Sequence, residues 1–522
     1  VPTDHTPIRI VGGELSVTGG EAVFTNMTGG VAVGGFGSHT GKVTVTAGSI
    51  FYHAVTPVHA FVLGTGSEMA LSGTGVFKCG SPDGLTNFKT TPTFSNEGGT
   101  LTVSGNADFN TSLEYYDWMT WRARGKPVVF SDNATLTQKL GDYARFGVAN
   151  HGTNRAEVIF KDNARTVNSV GTGKVIGKLR IESSATFAKI GYAHTINGGW
   201  NNPAEEWVSA GSVGSSFRAL RIGSTDISAS NEIQPTGCRG ILYVCGGEFT
   251  AEGSGGTGWE DKAPAGVLIG YGAASAIKKG IVYDGRLEVT SGRFNTIEGG
   301  FHVGAGVGKG ELVVAGGLCS NGCAKASTIG LCGGVGRVVV SNGVFKSTRK
   351  NSNTDLYIGG APITIFDQTE ANLLAAGYPT ERHDADGELT IVGGTTTVNG
   401  SVYLGYDGDG TITMEGTEGL LSVKNLVLSN FVAGVEDVST GFVSGAIDLS
   451  GGALGFQRRE EAFHRRIVPH VSGPAHGTGD AIVGQKPLKL LACVLRSLIR
   501  VVQQRIGLAA PPDRHHQRVH DQ

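Results

Sequence analysis

The sequence predicts an all-β fold: a single-stranded right-handed parallel β-helix (β-solenoid) over residues 1–456, followed by a short helical or disordered C-terminal tail. Three observations predict it: a phrase that recurs along the chain, a second phrase that precedes many of its copies, and the glycine content. Glycine accounts for 84 of 522 residues, about twice its share of roughly 7% in average proteins.

The first phrase reads G-x-(L/V/I)-x-(V/I)-x-x-G, and an aromatic residue often follows two positions later. Alternating apolar residues over four or five positions indicate a strand with one buried face. Glycine at both ends allows the positive φ angles that tight corners require. Copies begin at Gly13, Gly41, Gly240, Gly285, Gly310, Gly336 and Gly387, with looser copies at Gly99 and Gly410.

The second phrase, apolar-x-(I/V/L)-G, stands just before many copies of the first, as in Val267–Gly270, Phe301–Gly304 and Val402–Gly405. Strand and corner then alternate at steps of 23, 25, 26 and 28 residues. A step near 25 fits one turn of a solenoid, whose turns stack about 4.8 Å apart. A β-propeller or a β-sandwich is the rival interpretation, but propeller blades recur at roughly 40–50 residues.

In such a stack, equivalent positions of successive turns lie above one another. We therefore expect an interior apolar column and an interior aromatic column. The apolar column contains Leu287, Leu312 and Val338, and the aromatic column contains Phe249, Phe294 and Phe345, with Cys319 in the same column.

Residues 113–128 and 194–218 depart from both phrases and concentrate aromatic and charged side chains. We interpret both segments as excursions from the turns of the solenoid. Indole rings pack against the apolar faces of ligands such as sugars, although the same rings would equally serve to pin a loop to the surface. The candidate glycan contacts are Trp118, Trp121, Trp200 and Trp207.

Charge is divided unevenly along the chain. Residues 457–522 contain 11 Lys+Arg against 5 Asp+Glu, whereas the residues before them contain 32 against 40. A mildly acidic body argues against nucleic acid as a partner. No run of 18 apolar residues occurs, so we expect no membrane-spanning helix.

The glycine-bounded phrases end near Gln457, and arginine and histidine become dense beyond it. Lys489–Leu508 has the pattern of a basic amphipathic helix. The tail is interpreted in three ways: as a helical cap over the last turn, as a basic partner-binding tail, or as a foreign segment. We favour the third, because residues 457–522 resemble the out-of-frame or antisense products of insertion-sequence genes, and we infer no function from them.

Paired carboxylates form the candidate metal site. Asp407 and Asp409 lie on a glycine-rich turn, and Asp384 and Asp386 repeat the arrangement one turn earlier. If the turns stack, the two pairs approach each other and offer Ca²⁺ the oxygen ligands it prefers. A complete calcium signature is absent, so the interpretation as simple corner turns is favoured, and we expect no cofactor besides this candidate Ca²⁺.

Cysteine spacing does not support a zinc site. Cys319, Cys323 and Cys332 follow C-x3-C-x8-C, which is not a standard zinc spacing. Cys238 and Cys245 flank a predicted strand that would hold them some 20 Å apart, so we expect no disulfide between them.

The stretches GELVVAGG, GRLEVTSGRF and GELTIVGG, joined to VLIGYG, FHVGAG and VYLGYDGDG, resemble bacterial autotransporter-type β-strand repeats. The resemblance covers residues 8 to about 455, and residues 113–218 form a degenerate, loop-bearing middle part. It implies a parallel β-helix passenger that is secreted or displayed at the bacterial cell surface. It further implies an adhesin-like, monomeric rod that contacts glycans or cell-surface components, with a membrane β-barrel or anchor elsewhere in the parent protein.

The alternative function is a polysaccharide lyase or glycoside hydrolase of β-helix fold, with the four aspartates above and Arg382 as its candidate cluster. Glycoside hydrolysis needs two carboxylates roughly 5–10 Å apart, whereas Glu205 and Glu206 are adjacent and would point to opposite faces of a strand. No G-x-S-x-G or H-E-x-x-H motif occurs. The sequence therefore favours a non-enzymatic role, which includes that of a passive spacer.

Overall fold

The structure is a computed structural model of the chain. It divides into two units, Val1–Gln457 and Arg458–Gln522, and the described residues all lie in the first. The structure describes residues 8–27, 30–35, 39–54, 61–80, 94–113, 118–121, 126–138, 145–148, 156–167, 172–189, 193–199, 203–216, 219–224, 237–253, 266–272, 282–306, 308–322, 325–348, 355–362, 385–406, 408–415, 419–428, 445–448 and 453–456. The predicted tail helix, Lys489–Leu508, lies outside these residues.

Within the described residues the fold is all-β, with strands and no helix. The strands form three parallel ladders, here called A, B and C, which the chain visits repeatedly in the order C, A, B. One passage through all three ladders is called a circuit, and each ladder contains fifteen strand segments in the described part of the chain.

Ladder A begins each copy of the first sequence phrase. Its strands are β2 (Glu14–Val17), β5 (Lys42–Ala54), β7 (Glu68–Gly80), β9 (Thr100–Val103), β12 (Val128–Phe130), β15 (Glu157–Phe160), β18 (Lys178–Ile181), β22 (Ala204–Ser209), β25 (Gly237–Ala251), β27 (Val282–Thr296), β29 (Gly308–Val314), β32 (Val335–Val340), β35 (Ala385–Ile391), β37 (Gly408–Met414) and β39 (Gly445–Asp448).

Ladder B follows ladder A within each circuit, and the long strands β5, β7, β25 and β27 contribute their second halves to it. Its other strands are β3 (Glu21–Met27), β10 (Asp108–Leu113), β13 (Thr135–Thr137), β16 (Arg165–Val167), β19 (Thr186–Lys189), β23 (Val213–Ser216), β30 (Leu318–Asn321), β33 (Val344–Ser347), β36 (Thr395–Leu404), β38 (Leu420–Leu428) and β40 (Ala453–Phe456).

Ladder C opens each circuit, and the second halves of β36 and β38 belong to it. Its other strands are β1 (Ile8–Ile10), β4 (Val31–Val33), β6 (Phe61–Leu63), β8 (Phe94–Asn96), β11 (Trp118–Trp121), β14 (Arg145–Val148), β17 (Thr172–Val175), β20 (Ala193–Ile196), β24 (Ala219–Ile222), β26 (Gly266–Gly272), β28 (Gly300–Gly306), β31 (Ser327–Leu331) and β34 (Leu356–Ile358).

Parallel pairing decides between the rival architectures. Among the described strands, β21 (Gly198–Gly199) pairs antiparallel to β25, and the other pairings are parallel. Hairpin-connected propeller blades and sandwiches have antiparallel neighbours. The antiparallel alternatives considered from the sequence are therefore wrong, and the fold is a parallel arrangement of many strands.

The two expected interior columns are confirmed. Leu287 pairs with Leu312, and Leu312 pairs with Val338. Phe249 pairs with Phe294, and Cys319 stands between Phe294 and Phe345 in the same register. All seven side chains are fully buried, so like residues stack on like residues along the core.

Glycine occurs twice at the corner between ladders C and A because two backbones meet there. Gly304, two residues before the end of β28, has a φ of 68°, and a Cβ on it would lie 1.9 Å from the carbonyl oxygen of Val335. A Cβ on Gly336, which pairs with Gly310 and Gly387, would lie 2.1 Å from the carbonyl oxygen of Val303. The last glycine of the second phrase and the first glycine of the first phrase therefore lie at the same crowded corner.

The interpretation of residues 113–128 and 194–218 as excursions is wrong for the parts that the structure describes. β11 pairs with β14 in ladder C, while β22 and β23 occupy ladders A and B. These circuits lack the corner glycines of the repeated phrase, but their strands keep the alternation of inward and outward side chains. In β22, the buried residues alternate with partly exposed ones along the whole strand.

We predict that Leu312→Ala destabilises the protein by about 2–5 kcal/mol, because truncation leaves a cavity between the stacked side chains of Leu287 and Val338. Val313→Ala, one residue away on the outward face, is the matched control and is expected to cost less than about 1 kcal/mol. Denaturant unfolding followed by circular dichroism measures both changes. Equal costs at the two positions would contradict the assigned inward and outward faces.

Candidate functional site

The outward side chains of ladder A form a continuous strip, here called the charged strip. Its main column is the position directly after the corner glycine. In chain order from β15 to β35, this column contains Glu157, Lys178, Glu205, Ile241, Arg286, Glu311, Arg337 and Glu388.

Charges in this column alternate in sign from one circuit to the next, except at the uncharged Ile241. Lys178 Nζ lies 3.9 Å from a carboxylate oxygen of Glu157 and 3.9 Å from one of Glu205. Arg337 Nε lies 3.3 Å from Glu388 Oε2. Parallel in-register pairing places each residue directly beside the equivalent residue of the next strand, so like charges in this column would repel each other. Because the charges alternate in sign, neighbouring side chains attract each other instead. Each such pair is worth little on its own.

Trp207 lies inside the strip and is flanked on two sides. Tyr243, from the next strand, stacks on the indole with ring centroids 3.9 Å apart and an angle of 21°. Lys178 Nζ, from the preceding strand, lies 5.5 Å from the ring centroid, within cation–π range. Trp207 Nε1 donates a hydrogen bond of 3.3 Å to Glu205 Oε2. Because neighbours flank the indole on both sides, a ligand would reach mainly its edge.

The other predicted tryptophans do not join Trp207. Trp118 and Trp121 lie in β11 of ladder C, where they pair in register with Arg145 and Val148. Trp200 lies outside the described residues. The structure therefore separates Trp207 from the pair in β11 by assigning them to different ladders, and the glycan role of each stays a prediction.

A tyrosine cluster on ladder C was missed from the sequence. Tyr357 and Tyr403 stack with ring centroids 4.6 Å apart and an angle of 8°, and they occupy paired positions of neighbouring strands. Tyr406 stands edge-on to both rings. The recurring tyrosine in YIG and VYLG was the available signal, because equal positions of the second phrase stack.

The expected approach of the two acidic turns is confirmed at Asp386 and Asp409, which pair directly between β35 and β37. Asp386 is exposed, and partial desolvation of its carboxyl raises its pKa, which the charges of Asp409 and Glu388 raise further. Asp384 and Asp407 lie outside the described residues. In the part of the chain that is described, no three His, Cys, Asp or Glu side chains are grouped to hold a metal ion, and the Ca²⁺ site stays a prediction.

Asp284 and Arg239 extend the charged strip on the other side of the corner glycine. Arg239 Nε lies 3.2 Å from Asp284 Oδ2. Burial raises the pKa of Asp284, and Arg239 opposes that shift without cancelling it. Burial also raises the pKa of the Tyr243 phenol, with the charges of Glu205 and Glu288 adding to the effect. The strip therefore combines paired ions with a phenol that stays protonated at neutral pH.

Glu205 and Glu206 point to opposite faces, as expected. Glu205 lies in the charged strip, whereas Glu206 is buried and contacts the ring of buried His194. Sequence reasoning missed this interior pair. Its signal was a glutamate at a position where the neighbouring circuits have leucine.

The expected buried role of Cys319 is confirmed, because its side chain lies in the aromatic column of the core. Cys238 and Cys245 lie in one strand, β25, as expected. Cys332 is buried, while Cys323 lies outside the described residues. Among the residues with assigned structure, no helix has the length and apolar character needed to cross a membrane.

We predict that Glu311→Lys destabilises the protein by up to roughly 1 kcal/mol, because it places three cations, with Arg286 and Arg337, on successive strands. Glu311→Gln is the matched control and removes the attraction without adding repulsion. Thermal unfolding at low salt should rank wild type above Gln and Gln above Lys, and raising the ionic strength should narrow the gap. A lysine variant as stable as the glutamine variant would contradict the assigned register.

We predict that Asp386→Asn raises the melting temperature at pH 7. A carboxyl whose pKa is higher in the folded state than in the unfolded state contributes stability below its ordinary pKa of 3.8, and this stability is lost as pH rises through the folded pKa. The gain should therefore vanish at about pH 3, where both states are protonated. Glu388→Gln, which removes a carboxylate held by Arg337, should give no such gain, and a loss for Asp386→Asn at pH 7 would refute the assignment.

No family model matches the chain, and no match was found among curated proteins or among solved structures. Function must therefore be inferred from the residues of this chain.

Proposed function

We propose that residues 8–456 form a single-stranded right-handed parallel β-helix that acts as an adhesin-like passenger of a bacterial surface or secreted protein. The observation that carries the proposal is the unbroken recurrence of three parallel ladders in a fixed order. Each circuit contacts only its neighbours, which is the arrangement of solenoid proteins. Such proteins present extended surfaces for binding, and their stacked cores make them stiff.

The charged strip is the proposed binding surface, and a neutral glycan is its proposed ligand. Lys178, Arg286 and Arg337 are each close to a carboxylate, so a charged ligand would have to break existing pairs. A neutral sugar instead offers hydroxyl groups to these ions and an apolar edge to Trp207 and Tyr243. Aromatic contacts of this kind contribute about 0.5–1.5 kcal/mol beyond the buried area.

The proposal predicts that the intact chain binds neutral glycans on a glycan array and that Trp207→Ala and Tyr243→Ala each weaken binding by roughly 3- to 10-fold. Tyr403→Ala is the matched control, because Tyr403 belongs to an equally stacked tyrosine pair on ladder C. Circular dichroism must show that each variant remains folded. Absence of binding to every glycan, or an equal loss in the control, would overturn the proposal.

A polysaccharide-degrading enzyme is the second candidate, and the raised pKa of Asp386 beside Asp409 is the observation that favours it. Two carboxyls on neighbouring strands, one of them with a raised pKa, are the kind of pair in which one group acts as the acid and the other as the base. Release of reducing ends or unsaturated sugars from neutral or acidic polysaccharides by wild type, abolished by Asp409→Ala, would replace the adhesin proposal with this one.

A further inference from the structure

One circuit buries a histidine and a glutamate at positions where the next circuit buries two leucines, Leu220 and Leu242. It consists of β20, β22 and β23 and is here called the polar circuit. Its inward residues include His194, Glu206, Gly214 and Ser216, and the side chains of the three non-glycine residues are at most 1% exposed. These four inward positions contribute little to the apolar core, which continues through the circuit at Ile196, Ala204 and Val208.

The first departure lies in the interior column of ladder A. Glu206 is placed between Leu179 and Leu242, and His194, on ladder C, is paired with Leu220. The His194 and Glu206 side chains contact each other in the core. A buried ion pair rarely stabilises a protein more than apolar side chains of similar size would, because desolvation offsets the attraction.

The second departure lies in the aromatic column of ladder B. Gly214 stands between Phe187 and Phe249 in the register. On one side, Phe187 is in ring contact at 5.0 Å with Phe160, which belongs to ladder A. On the other side, Phe249 and Phe294 of ladder B are in contact at 5.8 Å. A Cβ on Gly214 would lie 2.8 Å from Phe249 Cδ2, so no larger side chain fits to continue the column.

The third departure concerns the register between β22 and β25. It shifts between Val208 and Ser209, and β21 adds an antiparallel pairing with β25 at the same level. In the charged strip, Glu205 faces Ile241 on this side instead of a cation. Similar register shifts occur between β5 and β7, between β25 and β27, and between β36 and β38. The features that set this boundary apart are the antiparallel pairing, the altered core packing and the missing outer ion pair.

We propose that the polar circuit is a break point at which the stack separates into two blocks that unfold independently, residues 8–189 and residues 219–428. In a stack of circuits, each circuit is stabilised only by its contacts with the circuits next to it. One weakly stabilised circuit therefore lowers the folding cooperativity between the parts of the chain on either side of it. The apolar core extends on both sides of this circuit, to Val17 in one direction and to Val423 in the other. Such a break point would let one block of the stack unfold while the other block stays folded.

Hydrogen exchange with mass spectrometry on the intact chain, measured along a denaturant series, tests the proposal. Amides of β9–β19 should lose protection at a denaturant concentration different from that of β25–β37, with the boundary in residues 193–216. The double variant His194→Leu with Glu206→Leu replaces the pair by apolar side chains, and it should bring the two midpoints together. Glu205→Gln, on the outward face of the same strand, should leave them apart.

Simultaneous loss of protection from residue 42 to residue 428 in the wild type would overturn the proposal, and so would a boundary at another circuit. If the double variant fails to fold, the wild-type boundary still decides the question. The result does not depend on glycan binding, so the break point and the proposed function can fail separately.

Discussion

Parallel in-register pairing at about 4.8 Å is the constraint on which the other features of this protein depend. It places each residue beside the equivalent residue of the previous circuit, so every choice of side chain is repeated or compensated at the next strand. Inside the stack, repetition is favourable, as in the column of Leu287, Leu312 and Val338. Outside it, repetition of a charge is unfavourable, and the alternation from Arg286 through Glu311 to Arg337 and Glu388 is the response.

The same constraint shapes what the outer surface can bind. Aromatic side chains at equivalent positions stack on each other, as Trp207 does on Tyr243 and Tyr357 on Tyr403. The faces of these rings then contact each other within the protein, and a ligand can reach mainly their edges. The paired carboxyls of Asp386 and Asp409 are the exception to charge alternation in the column before the corner glycine, which is why their electrostatics differ from those of the strip.

The regular part of the fold could be predicted from the sequence because glycine marks its corners. Gly310 and Gly336 lie where another backbone approaches too closely for a side chain. A residue without a Cβ is therefore required there, and it appears as the first glycine of the repeated phrase. The circuits from β11 to β23 escaped prediction because their corners use other residues; for example, Asp132 and Asp162 adopt positive φ angles there. The contact between His194 and Glu206 also could not be predicted, since it joins two ladders and no local pattern links residues across the core.

Spin labels introduced through non-natural amino acids would test the in-register stack most directly. Thr102, Val313 and Thr413 occupy one outward column of ladder A, and the register places seven steps between the first two and three between the last two. At about 4.8 Å per step, pulsed dipolar spectroscopy should give distances near 34 Å from Thr102 to Val313 and near 48 Å from Thr102 to Thr413. Distances that do not increase in proportion to the number of circuits would contradict the account.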